Sequence, residues 1–285
     1  MNMETQQEII EQSPQQREIE LFAPITFGFT RTFKNAGFWV LFSLLNMMVI
    51  GIGFAGIIVP EIAKISETPD AVSVESNFSV FGIIMYFIML AVLIFLSIIS
   101  MRQAIREVSA IQPDYQTIIE GKDIARWNTM TKDIAWGKII LTSLLIGLIA
   151  GLFGGIVGSI IGFGLGAVIE GGTANAGIIT LFAILGIALY IIIFALAIMV
   201  GYATYFAADP ETNATLSPID CIKASWNAVK PHFWTVFGFN IILMVLSSII
   251  ISFTLGIGIL VVIPAATLAQ AHMFRQVAGL YAPVK

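Results

Sequence analysis

An all-α polytopic membrane protein is the fold this sequence predicts: six transmembrane helices as three parallel hairpin repeats, each preceded by a cytoplasmic-side amphipathic helix. Three observations carry that prediction. Only 11% of the 285 residues are charged and the mean hydropathy is +0.92, whereas a soluble domain carries about 25% charged residues. Thr235 to Phe274 contains no Asp, Glu, Lys or Arg, a run of about 40 residues that leaves room for two spans of roughly 20 each. Finally, the basic residues divide unequally between the two sides that this span count creates.

Residues 1–20 are rich in Gln and Glu, with Ile9, Ile10 and Ile19 giving at most a weak stripe. They read as a mobile tail or a short surface helix. Residues 21–285 then form a single transmembrane domain, with repeats at about 24–110, 113–208 and 217–282. The clearest repeat is the last. Ser217 is placed to cap a helix that has Pro218 at its first position, and Ile219, Ile222, Trp226 and Val229 share one face of it. Phe233-Trp234 follows as an aromatic gate, then a hairpin with its turn at Gly256-Ile257-Gly258, and Arg275 as a basic exit.

The first repeat begins at Pro24, with Ile25, Phe29 and Phe33 at helical spacing and Phe38-Trp39 as the gate. Its spans are expected at Ala36–Val59 and Phe78–Ser100, separated by a polar loop from Pro60 to Asn77. The offset from Pro24 to Asn46 equals that from Pro218 to Asn240, which puts an amide at matching depth in both copies. An amide in lipid must find a partner. The expectation is that Asn46 and Asn240 face one another or a shared centre, as an interhelical bond or as a polar substrate site.

The middle repeat opens at Pro113 with a longer interfacial segment to about Lys138 that includes Trp127, and Trp136 takes the gate position. The span from Ile139 to about Gly162 carries two glycine ladders. One is Gly147, Gly151 and Gly155; the other is Gly154, Gly158, Gly162 and Gly166. Such rows let a neighbouring backbone approach closely, so they read as a packing face, or alternatively as the lining of a pore or lipid groove. A loop is expected from Phe163 to Ala176 and a fourth span from Gly177 to Ala207, ended by Asp209-Pro210. The five tryptophans Trp39, Trp127, Trp136, Trp226 and Trp234 are expected as interfacial anchors.

With both termini cytoplasmic, 13 of the 14 basic residues lie inside and Lys64 alone lies outside. Short loops obey this bias, so the chain is placed in its membrane with both ends on the cytoplasmic side. The net charge of −4 argues against a nucleic-acid partner. No P-loop, dinucleotide fingerprint or nucleophile elbow is present. Cys221 is the single cysteine, and His232 and His272 have no third ligand near them in the sequence. No catalytic, cofactor or metal residue is therefore expected. No expected span holds a charged group of the kind that proton relays and ion-coupled transporters use.

Ser225-Trp226, Phe233-Trp234, Gly256-Ile257-Gly258, Pro264 and the Ala269–Arg275 exit resemble the YciC-type bacterial inner-membrane proteins and the membrane domain fused to some glycerophosphoryl diester phosphodiesterases. That resemblance implies a polytopic bacterial membrane protein without an assigned activity, since no soluble phosphodiesterase domain accompanies it. The function expected from the sequence is a non-enzymatic accessory or scaffold protein, in contact with the bilayer and with a membrane-protein partner or a second copy. The alternative is a small-molecule or lipid transporter or channel with a polar centre between the hairpins.

Overall fold

The structure, a computed structural model, describes residues 19–67, 80–109, 134–170 and 176–280. All regular structure among the described residues is helical. The helices are α1 (Ala23–Lys34), α2 (Ala36–Glu67), α3 (Val80–Ser109), α4 (Trp136–Glu170), α5 (Ala176–Val200), α6 (Ala203–Ala208), α7 (Pro210–Asn213), α8 (Pro218–Val229), α9 (Phe233–Phe253) and α10 (Ile259–Val277). Five stretches among them are long and apolar enough to cross a membrane: Ala36–Gly56, Val80–Ser109, Trp136–Ser159, Thr180–Ala208 and the continuous Pro218–Phe253. The expected sixth span, α10, is not one of these. Gln270, His272 and Arg275 lower the hydropathy of its C-terminal half, and that half is buried by protein instead.

Helix α10 is the element on which α1, α2, α3 and α9 pack. From Val262 to Val277 most of its side chains are buried, against α1, α2, α3 and α9. The closest approach is between α1 and α10. A Cβ on Gly28 would run into the Ala265 carbonyl oxygen and lie 3.1 Å from the Ala269 Cβ. Small residues on both faces bring two helix axes together and let dispersion act over the whole contact. Helix α8 packs in the same manner on α6, α5 and α4.

Local signals in the sequence explain several boundaries. The Ser217 hydroxyl accepts from the Asp220 backbone N–H at 3.2 Å while Asp220 Oδ2 accepts from the Ser217 backbone N–H, a capping box that starts α8 with Pro218 in the first turn. The turn between α9 and α10 covers Thr254–Gly258, and Leu255 (φ 52°) and Gly256 (φ 91°) reverse the chain there.

Other boundaries differ from the expectation. Helix α2 continues through Pro60 to Glu67, where a loop was expected. A membrane helix tolerates a proline where other groups satisfy the carbonyl that it frees. Helix α4 runs to Glu170, through the expected loop at 163–170. Glycine weakens a helix in water, but in an apolar medium only the helix itself satisfies the backbone. The fourth span is broken at Gly201–Tyr202, between α5 and α6. The Met199 carbonyl near this break accepts from the Ser225 hydroxyl of α8 at 2.8 Å, the kind of side-chain rescue that lets a membrane helix break. The expected interfacial segment of the middle repeat, with Trp127, lies outside the described residues except for its end at 134–138.

Burial is concentrated at one end. Most buried side chains come from Ile25–Ser43, Leu96–Val108, Ile198–Asp209, Cys221–Leu243 and Val262–Val277, with Met89, Ile139 and Thr142 outside those ranges. Toward the opposite end, Met48, Phe54, Phe81, Phe87, Leu148, Phe153, Leu181, Ile187, Phe253 and Leu255 are all exposed. Of the most apolar stretch in Thr180–Ala208, 6% is buried inside the protein, against 28% in Ala36–Gly56. The described helices are thus tied together at one end and present bare apolar surface at the other.

Candidate functional site

The polar residues of the packed end gather where α3, α6 and α10 meet. Arg275 is 1% exposed and Asp209 is fully buried. The guanidinium Nη1 reaches Asp209 Oδ2 at 3.1 Å and donates to Ser109 Oγ. Its Nη2 donates to the Leu280 carbonyl at 3.2 Å. Ser109 ends α3 and Asp209 caps α6, so one side chain on α10 gathers the ends of two other helices. Leu280 is brought back by a helix-terminating turn. Its N–H bonds the Arg275 carbonyl and the Gly279 N–H bonds the Gln276 carbonyl, which requires the left-handed backbone at Gly279 (φ 70°) that glycine adopts without strain. The Arg275 fork suits this task because its planar donors point in several fixed directions.

A second buried carboxylate adjoins the first group. Glu107, on α3, accepts from Trp39 Nε1 at 3.1 Å and from Asn35 Nδ2 at 3.3 Å, and also bonds Gln103. Asn35 caps α1 and Trp39 lies in the first turns of α2, so Glu107 holds the α1–α2 corner against α3. On the other side of α1, the Phe27 ring sits 4.9 Å from His272, whose Nδ1 lies 3.1 Å from Gln276 Nε2. Gln276 Oε1 accepts from the Glu20 backbone N–H at 3.1 Å, fixing the segment that leads into α1.

Asn240 belongs to a further polar seam. Its Nδ2 donates to the Val236 carbonyl at 2.8 Å and its Oδ1 accepts from Gln270 Nε2 at 2.8 Å, while Gln270 Oε1 accepts from the Tyr202 hydroxyl at 3.1 Å. The partner of Asn240 is therefore Gln270 on α10. Asn46 donates to the Phe42 carbonyl of its own helix at 2.8 Å. The matched depth of the two amides does not bring them into one bond.

The glycine ladder faces no described atom of its own chain. A Cβ on Gly147, Gly151, Gly154, Gly155, Gly158, Gly162 or Gly166 would meet no such atom within 4 Å. Of the tryptophans, Trp234 is 78% exposed and Trp226 is 39% exposed, while Trp136 stacks on Phe95 at 4.9 Å. Trp39 departs from the expected interfacial place. At 1% exposure it is buried, because its N–H is the donor that Glu107 requires.

Arg275 was expected as a basic exit and is instead the centre of the buried network. Hydropathy alone places it, with Arg102 and Arg106, at a headgroup boundary. The available signal was that an acid, Asp209, and a base, Arg275, each close a long uncharged run at the same end of the chain's helices. Among the described residues no group of three His, Cys, Asp or Glu side chains is placed to hold a metal. Cys221 is fully buried. What the arrangement does chemically is fix helix ends: Arg275 engages Asp209, Ser109 and the Leu280 carbonyl, and Glu107 engages Trp39 and Asn35.

Comparison with family models, with curated proteins and with solved structures returns no match to this chain.

Proposed function

We propose that this chain is a non-enzymatic accessory or scaffold protein of the bacterial cytoplasmic membrane, associating with a membrane-protein partner or with a second copy of itself. The observation that carries the reading is the contrast between its two ends. The ionisable groups Arg275, Asp209 and Glu107 are consumed in tying helix ends together, while α4 and α5 leave most of their apolar surface, glycine rows included, without a partner among the described residues. A transport reading asks for polar groups turned toward an opening. Asn240 instead has both ends of its amide engaged within the protein.

Six spans as three parallel hairpin repeats belong to the same proposal. In its support, α1 rests chiefly on α10, in the third hairpin, and α8 rests on α6, α5 and α4, in the middle hairpin, so each of these short helices packs on the hairpin before it, if the third hairpin is counted as preceding the first. The resemblance to YciC-type proteins, carried by Ser225-Trp226 and Phe233-Trp234, fits this arrangement.

Association through α4 has a clear mutational signature. Gly151→Leu and Gly155→Leu place side chains where no described atom of this chain stands. The unfolding free energy of the isolated chain in detergent should change by no more than about 0.5 kcal/mol, as at a free surface. The oligomer or partner complex, read by native mass spectrometry, should be lost. Loss of monomer stability with the complex intact would overturn the reading.

Orientation is tested on α8. Cys221 is buried and unsuited to labelling, whereas Asn227 is exposed on the same helix. In a Cys221→Ser background, Asn227→Cys should react with a membrane-impermeant maleimide in inside-out vesicles and stay unlabelled in intact cells, as the positive-inside bias requires. Labelling in intact cells would reverse the topology.

A further inference from the structure

We propose that the outward groove of α1 is a binding site for an anionic phospholipid headgroup of the cytoplasmic leaflet. Helix α1 has two faces with different tasks. Pro24, Ile25, Gly28 and Thr32 are buried against the rest of the protein. The other side carries an open cleft of about 490 Å³. Two rows of residues line it, each with steps of four: Thr26, Thr30 and Lys34 in one, and Ala23, Phe27 and Arg31 in the other. Residues at i and i+4 stand one above the other on a helix, so the rows present two hydroxyls, an ammonium and a guanidinium along one groove.

Arg31 is positioned from behind. The Phe27 ring is held against His272, and the Arg31 guanidinium lies over the same ring, 5.8 Å from its centroid. Both cations sit in the last turn of α1, where the helix dipole also favours positive charge. Two basic groups with neighbouring hydroxyls suit a phosphate, since each supplies donors and none requires a proton. The acyl end of the ligand has its own contacts. Phe22 and Phe33, each 64% exposed, flank the groove and belong in the acyl region rather than in water.

Charge selects the class of lipid. Helix α1 contains no Asp or Glu, and the carboxylate at the groove, Glu20, precedes the helix at its other end. The helix is about 18 Å long at 1.5 Å per residue, so Glu20 lies too far from Lys34 for the ammonium and phosphate of one zwitterionic headgroup to meet both. Glu107, engaged by Asn35, Trp39 and Gln103, lies near enough to Arg31 to offset part of its charge, and the exposed Lys34 leaves this end of the groove matched to net negative charge. The inference needs only that α1 lies at the cytoplasmic surface and is independent of whether the chain acts as a scaffold.

The test uses the full chain in a neutral detergent, with bound ligand read by native mass spectrometry. Four probes separate the sources of the anion: dihexanoyl phosphatidylglycerol, dihexanoyl phosphatidylcholine, glycerol phosphate and inorganic phosphate. Each basic residue near an anionic surface is worth about fivefold in affinity, so Arg31→Gln with Lys34→Gln should weaken phosphatidylglycerol binding by at least about tenfold, and Lys34→Gln alone by about fivefold. Lys34 is exposed, so its variant keeps the fold intact if Arg31→Gln disturbs the nearby Glu107. Lys230→Gln, on a different element, should leave binding unchanged. Retention of phosphatidylglycerol binding by the Lys34→Gln and double variants would overturn the site. Equal binding of phosphatidylcholine would overturn the charge selection, and equal binding of inorganic phosphate would overturn the assignment to a lipid.

Discussion

Arg275→Met is expected to lower the unfolding free energy by about 3–5 kcal/mol, because it leaves the Asp209 carboxylate buried with its cation gone. Asp209 is fully buried and Arg275 reaches it at 3.1 Å, so neither group has water to fall back on. The loss includes more than one ion pair. The same guanidinium serves Ser109 at the end of α3 and the Leu280 carbonyl beyond α10, so three helix ends loosen together. The double variant Arg275→Met with Asp209→Leu distinguishes the charge penalty from lost packing. Removing both charges should restore stability to within about 1 kcal/mol of the parent, since apolar replacements of a buried pair are often neutral. Denaturant unfolding in a mild detergent, followed by tryptophan fluorescence, reads both. A double variant as weak as the single one would show that Arg275 acts through shape and not charge.

Gly28→Leu is the second large effect. The α1–α10 contact has no space for a side chain, since even one Cβ would collide with the Ala265 carbonyl oxygen. Backbone cannot move aside as a flexible side chain does, so overpacking costs of about 1–3 kcal/mol are expected as a minimum. Gly28→Ala should show a smaller loss in the same direction. The disruption also carries to Glu107, because α1 ends at Asn35, one of the donors to that carboxylate. Limited proteolysis near residues 19–35 should accelerate in both variants. Unchanged unfolding in Gly28→Leu would mean that α1 does not rest on α10.

The fold is legible in the sequence where local signals set it. The helical class, the membrane-length apolar runs and the capped start of α8 at Ser217-Pro218 follow from composition, run length and the capping residues, all of which act locally. The turn near Gly256 is equally local. What hydropathy cannot separate is a charged residue at a headgroup boundary from one buried among helix ends. Arg275 and Asp209 have the same neighbours in sequence either way, and only tertiary packing brings them to 3.1 Å. Trp39 shows the same ambiguity: an indole next to a span suits an interface, and it equally suits a buried carboxylate that needs a donor. The bond between Asn46 and Asn240, one of the two expected arrangements, is replaced by one from Gln270 to Asn240. Matched depth constrains height along a span but not the direction in which a side chain faces, and Gln270 was the amide within reach. The glycine ladders of α4 were visible at once, but a small-residue face does not say what covers it.

The central claim is that a chain tied together at one end offers its remaining apolar helix surface to another membrane protein or to a second copy. Native mass spectrometry of the full chain, extracted from its own membrane in several mild detergents and in nanodiscs, tests this most directly. The account predicts a stoichiometric complex, homo-oligomeric or with one partner species, that disappears in Gly151→Leu and Gly155→Leu. A strictly monomeric chain in every one of those environments, unchanged by either substitution, would contradict it.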